Sequence, residues 1–324
     1  MSSPRVWTSL PNIIMSTTEL LRLRDLPVFD NIEEFASLCH ISKIDISAIQ
    51  YNAYPFYRRY PMLKKNGKIR IVYQPNPTVK AIQCWILRHI LDKVNPSEYS
   101  TAFRKNKSTL DNVSPHKHNR FFFRTDIVDF FPTINRSRVF FLFKNIGYDT
   151  KQAILLARLC TCSNLLPQGA VTSPSISNLV VNKMDRRLAG YANKKNIVYT
   201  RYADDLTFSS NNRSVLNNSI RLIKRIIEEE EFIVNLEKTN FIGPSKSCKI
   251  TGLIKNTSEP SFGIGKKKKN RMRCVMYYHI VKKITIDPNY SSDNSIIGWL
   301  SFLNSVDKAS FKYMNNYWLS LKAL

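Results

Sequence analysis

The chain has 324 residues, of which 49 are Lys or Arg and 24 are Asp or Glu, a formal charge of +25. With 43% apolar residues spread from end to end it can bury a core, which excludes a disordered basic tail. A charge of this size calls for an anionic polymer or surface rather than a small acidic substrate.

No run approaches the roughly 18 apolar residues of a bilayer span, and the opening residues lack the apolar stretch and small-residue cleavage site of an export signal. The six cysteines (Cys39, Cys84, Cys160, Cys162, Cys248 and Cys274) form no C-x-x-C pair, and Cys160 and Cys162 are too close for a zinc knuckle. They read as reduced thiols of a cytosolic protein without membrane attachment.

In chain order, Asp30 followed by Glu33 resembles a capping box opening a helix with Ile32, Phe35 and Ala36 on one face. Asn66-Gly67 between extended stretches at 57–65 and 68–73 signals a hairpin with a basic tip of Lys64, Lys65, Lys68 and Arg70. Val79, Ile82, Ile86 and Ile90 have helical spacing, and 95–119 is polar and irregular. The run 121–131 reads as a buried strand ending at Pro132, and a helix then carries Ile154, Leu155, Ala157 and Leu159. A glycine-containing loop at 165–172 precedes a helix capped by Ser173 with Pro174 in its first turn.

Two extended runs, 197–202 and 206–209, flank Ala203-Asp204-Asp205. An amphipathic helix over 215–230 turns Leu216, Ile220, Ile223 and Ile227 inward, short strands follow at 232–234 and 249–254, and the tail from Lys266 is basic and helical in pattern. Trp299, Leu300, Phe302 and Leu303 read as packing residues of that tail. This order predicts an α+β unit, an antiparallel sheet with helices on one face, flanked by mostly helical material.

A turn can direct the carboxylates of Asp204 and Asp205 toward one point, whereas a regular strand would point them to opposite faces. A plain surface turn is the other reading. Asp126 lies in the run FFFRTDIVDFF, where an ionised carboxylate is costly without a compensating cation or donor. Three aspartates from two neighbouring strands form an oxygen-rich site for hard divalent ions. Two Mg²⁺ ions ~3.5–4 Å apart can lower the barrier to phosphoryl transfer. In so basic a chain, the acidic trio predicts nucleotidyl transfer on a nucleic acid.

The motifs carry a specific resemblance. Tyr202-Ala203-Asp204-Asp205 matches the YxDD box of reverse transcriptases, and Asp126-Ile127-Val128-Asp129-Phe130-Phe131 resembles their first carboxylate motif. Leu166-Pro167-Gln168-Gly169, with Ser173-Pro174 downstream, is similar to their template- and nucleotide-contacting loop, and FIVNLEKT (232–239) to the stretch after the catalytic hairpin. Asn112-Val113-Ser114-Pro115-His116 and Ile250-Thr251-Gly252 resemble the N-A-x-x-H and V-T-G boxes of bacterial retron reverse transcriptases, each with one apolar substitution.

That resemblance implies a right-hand polymerase with N-terminal helices and fingers over 1–120, a palm of antiparallel sheet plus helices over 121–255, and a mainly helical thumb over 256–324. The 135–172 segment would pack toward the fingers. It implies Asp126, Asp204 and Asp205 as catalytic ligands of two Mg²⁺ ions, and Arg70, Phe131, Gln168 and Lys238 as nucleotide-binding residues. Phe131 would exclude a 2′-hydroxyl, although a core ring is its other reading, and a solvated tip is that of the hairpin lysines. RNA contacts are implied for Asn112, His116, Thr251 and Gly252, and charge with neighbouring rings suggests them for Lys266, Lys267, Lys268, Lys269, Arg271 and Arg273.

The activity implied is RNA-directed DNA synthesis from deoxynucleoside triphosphates. The template would be a cognate structured noncoding RNA whose 2′-hydroxyl primes synthesis, giving a branched RNA–DNA product (msDNA) used in anti-phage defence in the bacterial cytoplasm. Implied partners are an effector protein and the host's ribonuclease H. The alternatives are another bacterial or group II intron-like reverse transcriptase, an RNA-dependent RNA polymerase, and a noncatalytic RNA-binding scaffold of a defence complex.

Overall fold

A computed structural model describes residues 16–63, 67, 69–256 and 259–324. The expected hairpin tip at Lys64, Lys65, Asn66 and Lys68 lies outside the described residues. The chain forms two compact units, one combining the residues up to Asn95 with Ile134–Val180, the other combining Pro96–Thr133 with Val181–Leu324. Among the described residues no helix is long and apolar enough to cross a membrane, and all six cysteines are free thiols.

The first unit opens with helices Thr17–Leu23, Ile32–Cys39 and Lys43–Tyr51, followed by an antiparallel hairpin of β1 (Tyr57–Leu63) and β2 (Ile69–Pro75). Helices Pro77–His89, Arg136–Ile146, Thr150–Cys160 and Ser173–Val180 complete it. Leu21, Phe35, Ile46, Ile82, Ile86, Phe143 and Leu156 are buried within it. Two starts differ from expectation. Asn31, not Asp30, caps the second helix, because its side chain reaches the Glu34 amide at 2.9 Å. Ser173 is the first helical residue rather than the cap, and its hydroxyl donates to the Pro167 carbonyl at 2.7 Å. The helix Arg136–Ile146, which the sequence reading did not assign, starts at the Asn135 cap and ends at Gly147, whose φ is +125.

The second unit is built on a four-stranded antiparallel sheet of order β4-β5-β3-β6, formed by β3 (Phe121–Asp126), β4 (Val198–Tyr202), β5 (Asp205–Ser210) and β6 (Asn240–Ile242). Helices Asn182–Lys194 and Arg213–Glu229 pack on it, the second through Leu216, Ile223, Ile226 and Ile227. The expected strand 121–131 stops at Asp126. Beyond that point Val128 N–H donates to the Ile233 carbonyl, Asp129 takes φ +43, and Phe130–Thr133 form one helical turn. Of the strand expected at 232–234, only a bridge between Val234 and Ile127 exists.

The stretch 249–254 is a hairpin, β7 (Lys249–Ile250) with β8 (Leu253–Lys255), to which β9 (Phe262–Gly263) adds. The C-terminal helices Lys266–Tyr277, Asp293–Val306 and Lys308–Lys322 share a core of Met276, Leu300, Leu303, Met314 and Trp318, joined by Phe122 of the sheet. Phe302 is 38% exposed, so it does not pack there as expected.

Candidate active site

The register of β3 against β5 sets Asp126 opposite Asp205, and Ile127 N–H donates to the Asp204 carbonyl at 3.1 Å. Asp204 occupies a two-residue turn with Ala203, whose φ is +57. That conformation at the first central position suits the twist of the flanking strands but normally falls to glycine. Burial, then the charges of Asp126 and Asp205, push Asp204 up to about 6. Burial raises Asp205 as well, aided by Asp126 and opposed by Arg124, whose Nη2 is 3.8 Å from Asp205 Oδ1. With the proton affinities of Asp204 and Asp205 both raised by burial and by the charge of Asp126, the site is short of positive charge.

Lys238 supplies part of it, since its Nζ lies 2.7 Å from Asp126 Oδ2. Burial disfavours the ammonium, but the hydrogen bond and the three aspartates outweigh this and raise its pKa. Asn235 fixes the pair: its amide N–H donates to the Asp126 carbonyl at 2.8 Å, and its side-chain oxygen accepts from Lys238 N–H at 3.3 Å. Among the described residues, no group of three or more Asp, Glu, His or Cys side chains is already gathered at metal-binding spacing.

The acidic turn rests on a buried ion pair. Arg201 and Asp185 side chains are fully buried and joined by two hydrogen bonds, Nε to Oδ1 at 2.8 Å and Nη2 to Oδ2 at 2.7 Å. Arg201 Nη1 donates to the Ala203 carbonyl at 3.0 Å, and Tyr199 donates its hydroxyl to Asp185 at 2.7 Å. A planar fork is suited to such a double contact. Sequence reasoning missed Asp185. Its signal was an acidic residue spaced with Leu188 and Ala192 along the apolar face of a helix.

Phe131, half-buried on the turn after β3, contacts Phe130 edge-on at 5.5 Å. Arg70 and Gln168 belong to the first unit. Arg70 is exposed on β2, and the Gln168 carbonyl accepts from Tyr73 N–H of the same strand at 2.7 Å. Gly169 is required beside it, because its φ is +115 and a Cβ would stand 2.8 Å from the Tyr73 carbonyl oxygen. Buried Gln83, unassigned from sequence, supports this loop by accepting from Val171 N–H at 3.2 Å and donating to the Tyr57 hydroxyl at 2.8 Å.

The RNA-contact candidates divide. Asn112 and His116 are buried, so direct contact with RNA is corrected to an internal role. Thr101 Oγ1 donates to Asn112 Oδ1 at 3.1 Å, and the two nitrogens of His116 meet Ser209 and Thr200 of β5 and β4. Thr251 and Gly252 form the β7–β8 turn with φ +44 and +88, and Gly252 is exposed. Lys266, Lys267, Lys268 and Arg273 are exposed, and Lys269 donates to Ser310 at 3.1 Å. Arg273 stacks on Tyr317 at 5.2 Å, whereas Arg271 is paired with Asp287 at 2.6 Å. A cavity of about 300 Å³ lies between Lys266, Lys269, Arg273 and Tyr313.

An antiparallel sheet presenting an acidic hairpin, with a helical bundle after it, is the architecture of a right-hand nucleic-acid polymerase. The family model described as reverse transcriptase (RNA-dependent DNA polymerase) matches residues 62–254. The retron Ec86 reverse transcriptase of Escherichia coli is 36% identical over 299 residues, covering 92% of this chain and 91% of that protein. The retron Mx65 reverse transcriptase of Myxococcus xanthus is 30% identical over 266 residues, 76% of this chain and 61% of that one. Among solved structures, Candida albicans telomerase in complex with a telomeric RNA fragment is similar in fold, with a TM-score of 0.51 and 12% identity, over 86% of this chain and 58% of that one. The chain belongs to the reverse transcriptase family, within its bacterial retron branch, and is an RNA-directed DNA polymerase.

Proposed function

We propose that Asp126, Asp204 and Asp205 are the catalytic carboxylates and the ligands of two Mg²⁺ ions. The observation that carries this reading is the register of Asp126 against Asp205 with Asp204 at the adjoining turn. The donor set fits hard divalent cations, being all oxygen and, through mutual repulsion and burial, deficient in positive charge. Bound there, the ions would activate the attacking hydroxyl and neutralise the leaving pyrophosphate.

The protein's own groups then divide the remaining work. Lys238, whose pKa is raised, holds a proton that a leaving pyrophosphate oxygen can take. Arg70 offers a forked contact to the triphosphate, and the Gln168 amide can both donate and accept in the nucleotide pocket. Phe131 crowds the sugar where a 2′-hydroxyl would stand. Thr251, Gly252, Lys266, Lys267, Lys268, Lys269 and Arg273 form the RNA-binding surface.

The template is a cognate structured noncoding RNA, and synthesis starts from one of its 2′-hydroxyls, leaving a branched RNA–DNA product. The product serves anti-phage defence in the bacterial cytoplasm, with an effector protein and the host ribonuclease H as partners. Grouping of Ile134–Val180 with the N-terminal residues supports assigning 135–172 to the fingers. Grouping of Pro96–Thr133 with the sheet supports a palm that starts near residue 96 rather than 121; the thumb begins near 256.

The test is expression with the cognate RNA of wild type, Asp204→Asn and Asp205→Asn. Wild type yields DNA that keeps a ribonucleotide branch after ribonuclease digestion, and both variants retain RNA binding without DNA. DNA synthesis persisting in the variants would remove the carboxylates from catalysis. Product extended from a free 3′ end would overturn the priming assignment.

A further inference from the structure

Phe103 is an outlier by three measures. Its backbone has φ +56, a conformation that a bulky side chain adopts only when its surroundings impose it. Its ring is 49% exposed although apolar, and that ring lies 6.2 Å, centroid to centroid, from the ring of Phe131. Strained backbone persists where neighbouring contacts over-determine it, and such residues cluster at functional sites.

The loop carrying Phe103 is anchored to the strand that leads into the acidic turn. Ser100 forms a parallel bridge with Arg201, and Thr101 N–H donates to the Arg201 carbonyl at 2.9 Å. Arg201 N–H donates in return to Tyr99 at 2.8 Å. Ala102 is buried, and Arg104 Nη1 donates to the carbonyls of Ser97 and Ser100 at 2.9 and 3.1 Å. The residues flanking Phe103 are therefore hydrogen-bonded in place, and its ring lies near that of Phe131.

A ring that excludes a hydroxyl by bulk works only if it cannot swing aside. Phe131 stands on a single helical turn, which alone offers little restraint. On one contact it has Phe130, itself buried and 6.0 Å from Phe232. Among the described residues, its other ring contact is Phe103.

We propose that Phe103 is a positioning residue for sugar discrimination: it holds the Phe131 ring in the place that rejects ribonucleotides. The inference rests on the proposed role of Phe131. Loss of the Phe103 ring leaves Phe131 chemically intact but free to tilt, so ribonucleotides gain access without any change in the carboxylates.

The experiment compares wild type, Phe103→Gly, Phe103→Tyr and Phe131→Ala in single-nucleotide incorporation, reading the ratio of kcat/KM for a deoxynucleotide to that for the matching ribonucleotide. Glycine accepts the left-handed backbone without strain, so Phe103→Gly removes the ring while relieving the loop. A general loss of stability lowers both rates and leaves the ratio in place. The expected result is a ratio about tenfold lower in Phe103→Gly and about a hundredfold lower in Phe131→Ala, the scale of steric discrimination in apolar pockets. Phe103→Tyr, which keeps the ring, retains the wild-type ratio. A wild-type ratio in Phe103→Gly alongside a collapsed ratio in Phe131→Ala overturns the inference and leaves the Phe131 reading standing. An unchanged ratio in Phe131→Ala overturns both.

Discussion

His116 illustrates how hydrogen-bond accounting assigns a proton. Thr200 Oγ1 donates to the Asn112 carbonyl at 3.1 Å, so it accepts from His116 Nε2–H at 2.8 Å. Ser209 Oγ accepts from Asn119 Nδ2 at 2.8 Å, so its proton goes to His116 Nδ1 at 2.6 Å. The ring is the neutral Nε2–H tautomer with both nitrogens satisfied. A second proton at Nδ1 would displace the one from Ser209 in a site without solvent, and burial pushes the pKa down to about 3. The unfolded chain takes up this proton near the usual 6.5 and the folded chain does not until near 3, so stability present above 6.5 is lost as pH falls toward 3. Between about pH 7.5 and pH 5.5 this single group costs about 1 kcal/mol. Urea unfolding at the two pH values should show the wild type losing that much more than His116→Gln; equal losses would place the ring in solvent. Reading Asn112 and His116 as RNA contacts followed from the resemblance of residues 112–116 to the retron N-A-x-x-H box. Their burial was illegible because Thr200, which meets both, and Ser209, which meets His116, lie more than 80 positions away.

The hairpin β4–β5 was legible as an element, since apolar residues run up to both sides of Ala203-Asp204-Asp205. What holds its turn was not. The Asp185–Arg201 pair connects the helix Asn182–Lys194 to the strand β4, and the spare guanidinium nitrogen reaches the Ala203 carbonyl. Asp185→Asn leaves Arg201 a buried charge without its counter-ion, a loss of about 3–5 kcal/mol. Replacing both, as Asp185→Leu with Arg201→Met, removes the uncompensated charge and should be less destabilising than the single change. The Ala203 carbonyl still loses its donor in the double variant, so DNA synthesis should fall while RNA binding remains. Denaturant midpoints and incorporation rates on the same samples check both halves; a double variant that is less stable than the single one would contradict the account. The end of β3 escaped the sequence for a related reason. Ile127, Val128, Phe130 and Phe131 continue the apolar pattern, and the break is imposed from outside by Ile233 and Val234.

At the scale of the molecule, a charge of +25 would attract any nucleic acid, so the surface used must be identified by how affinity responds to salt. Each phosphate neutralised on a single strand contributes about 0.7, and on a duplex about 0.9, to the slope of log affinity against log salt. The helix Lys266–Tyr277 buries Met272, Val275 and Met276, which leaves its cations in different surroundings. Lys266, Lys267, Lys268 and Arg273 are exposed, whereas Arg271 is matched by Asp287. Changing those four to Gln should reduce the slope by about 3 if each neutralises a phosphate. Arg271→Gln should leave the slope nearly as it was, because that charge is already compensated within the fold. Fluorescence anisotropy with the structured RNA over a salt series separates the two. An unchanged slope in the fourfold variant would move the RNA surface off this helix. A drop of about 1 in Arg271→Gln would mean that RNA displaces Asp287 from its partner.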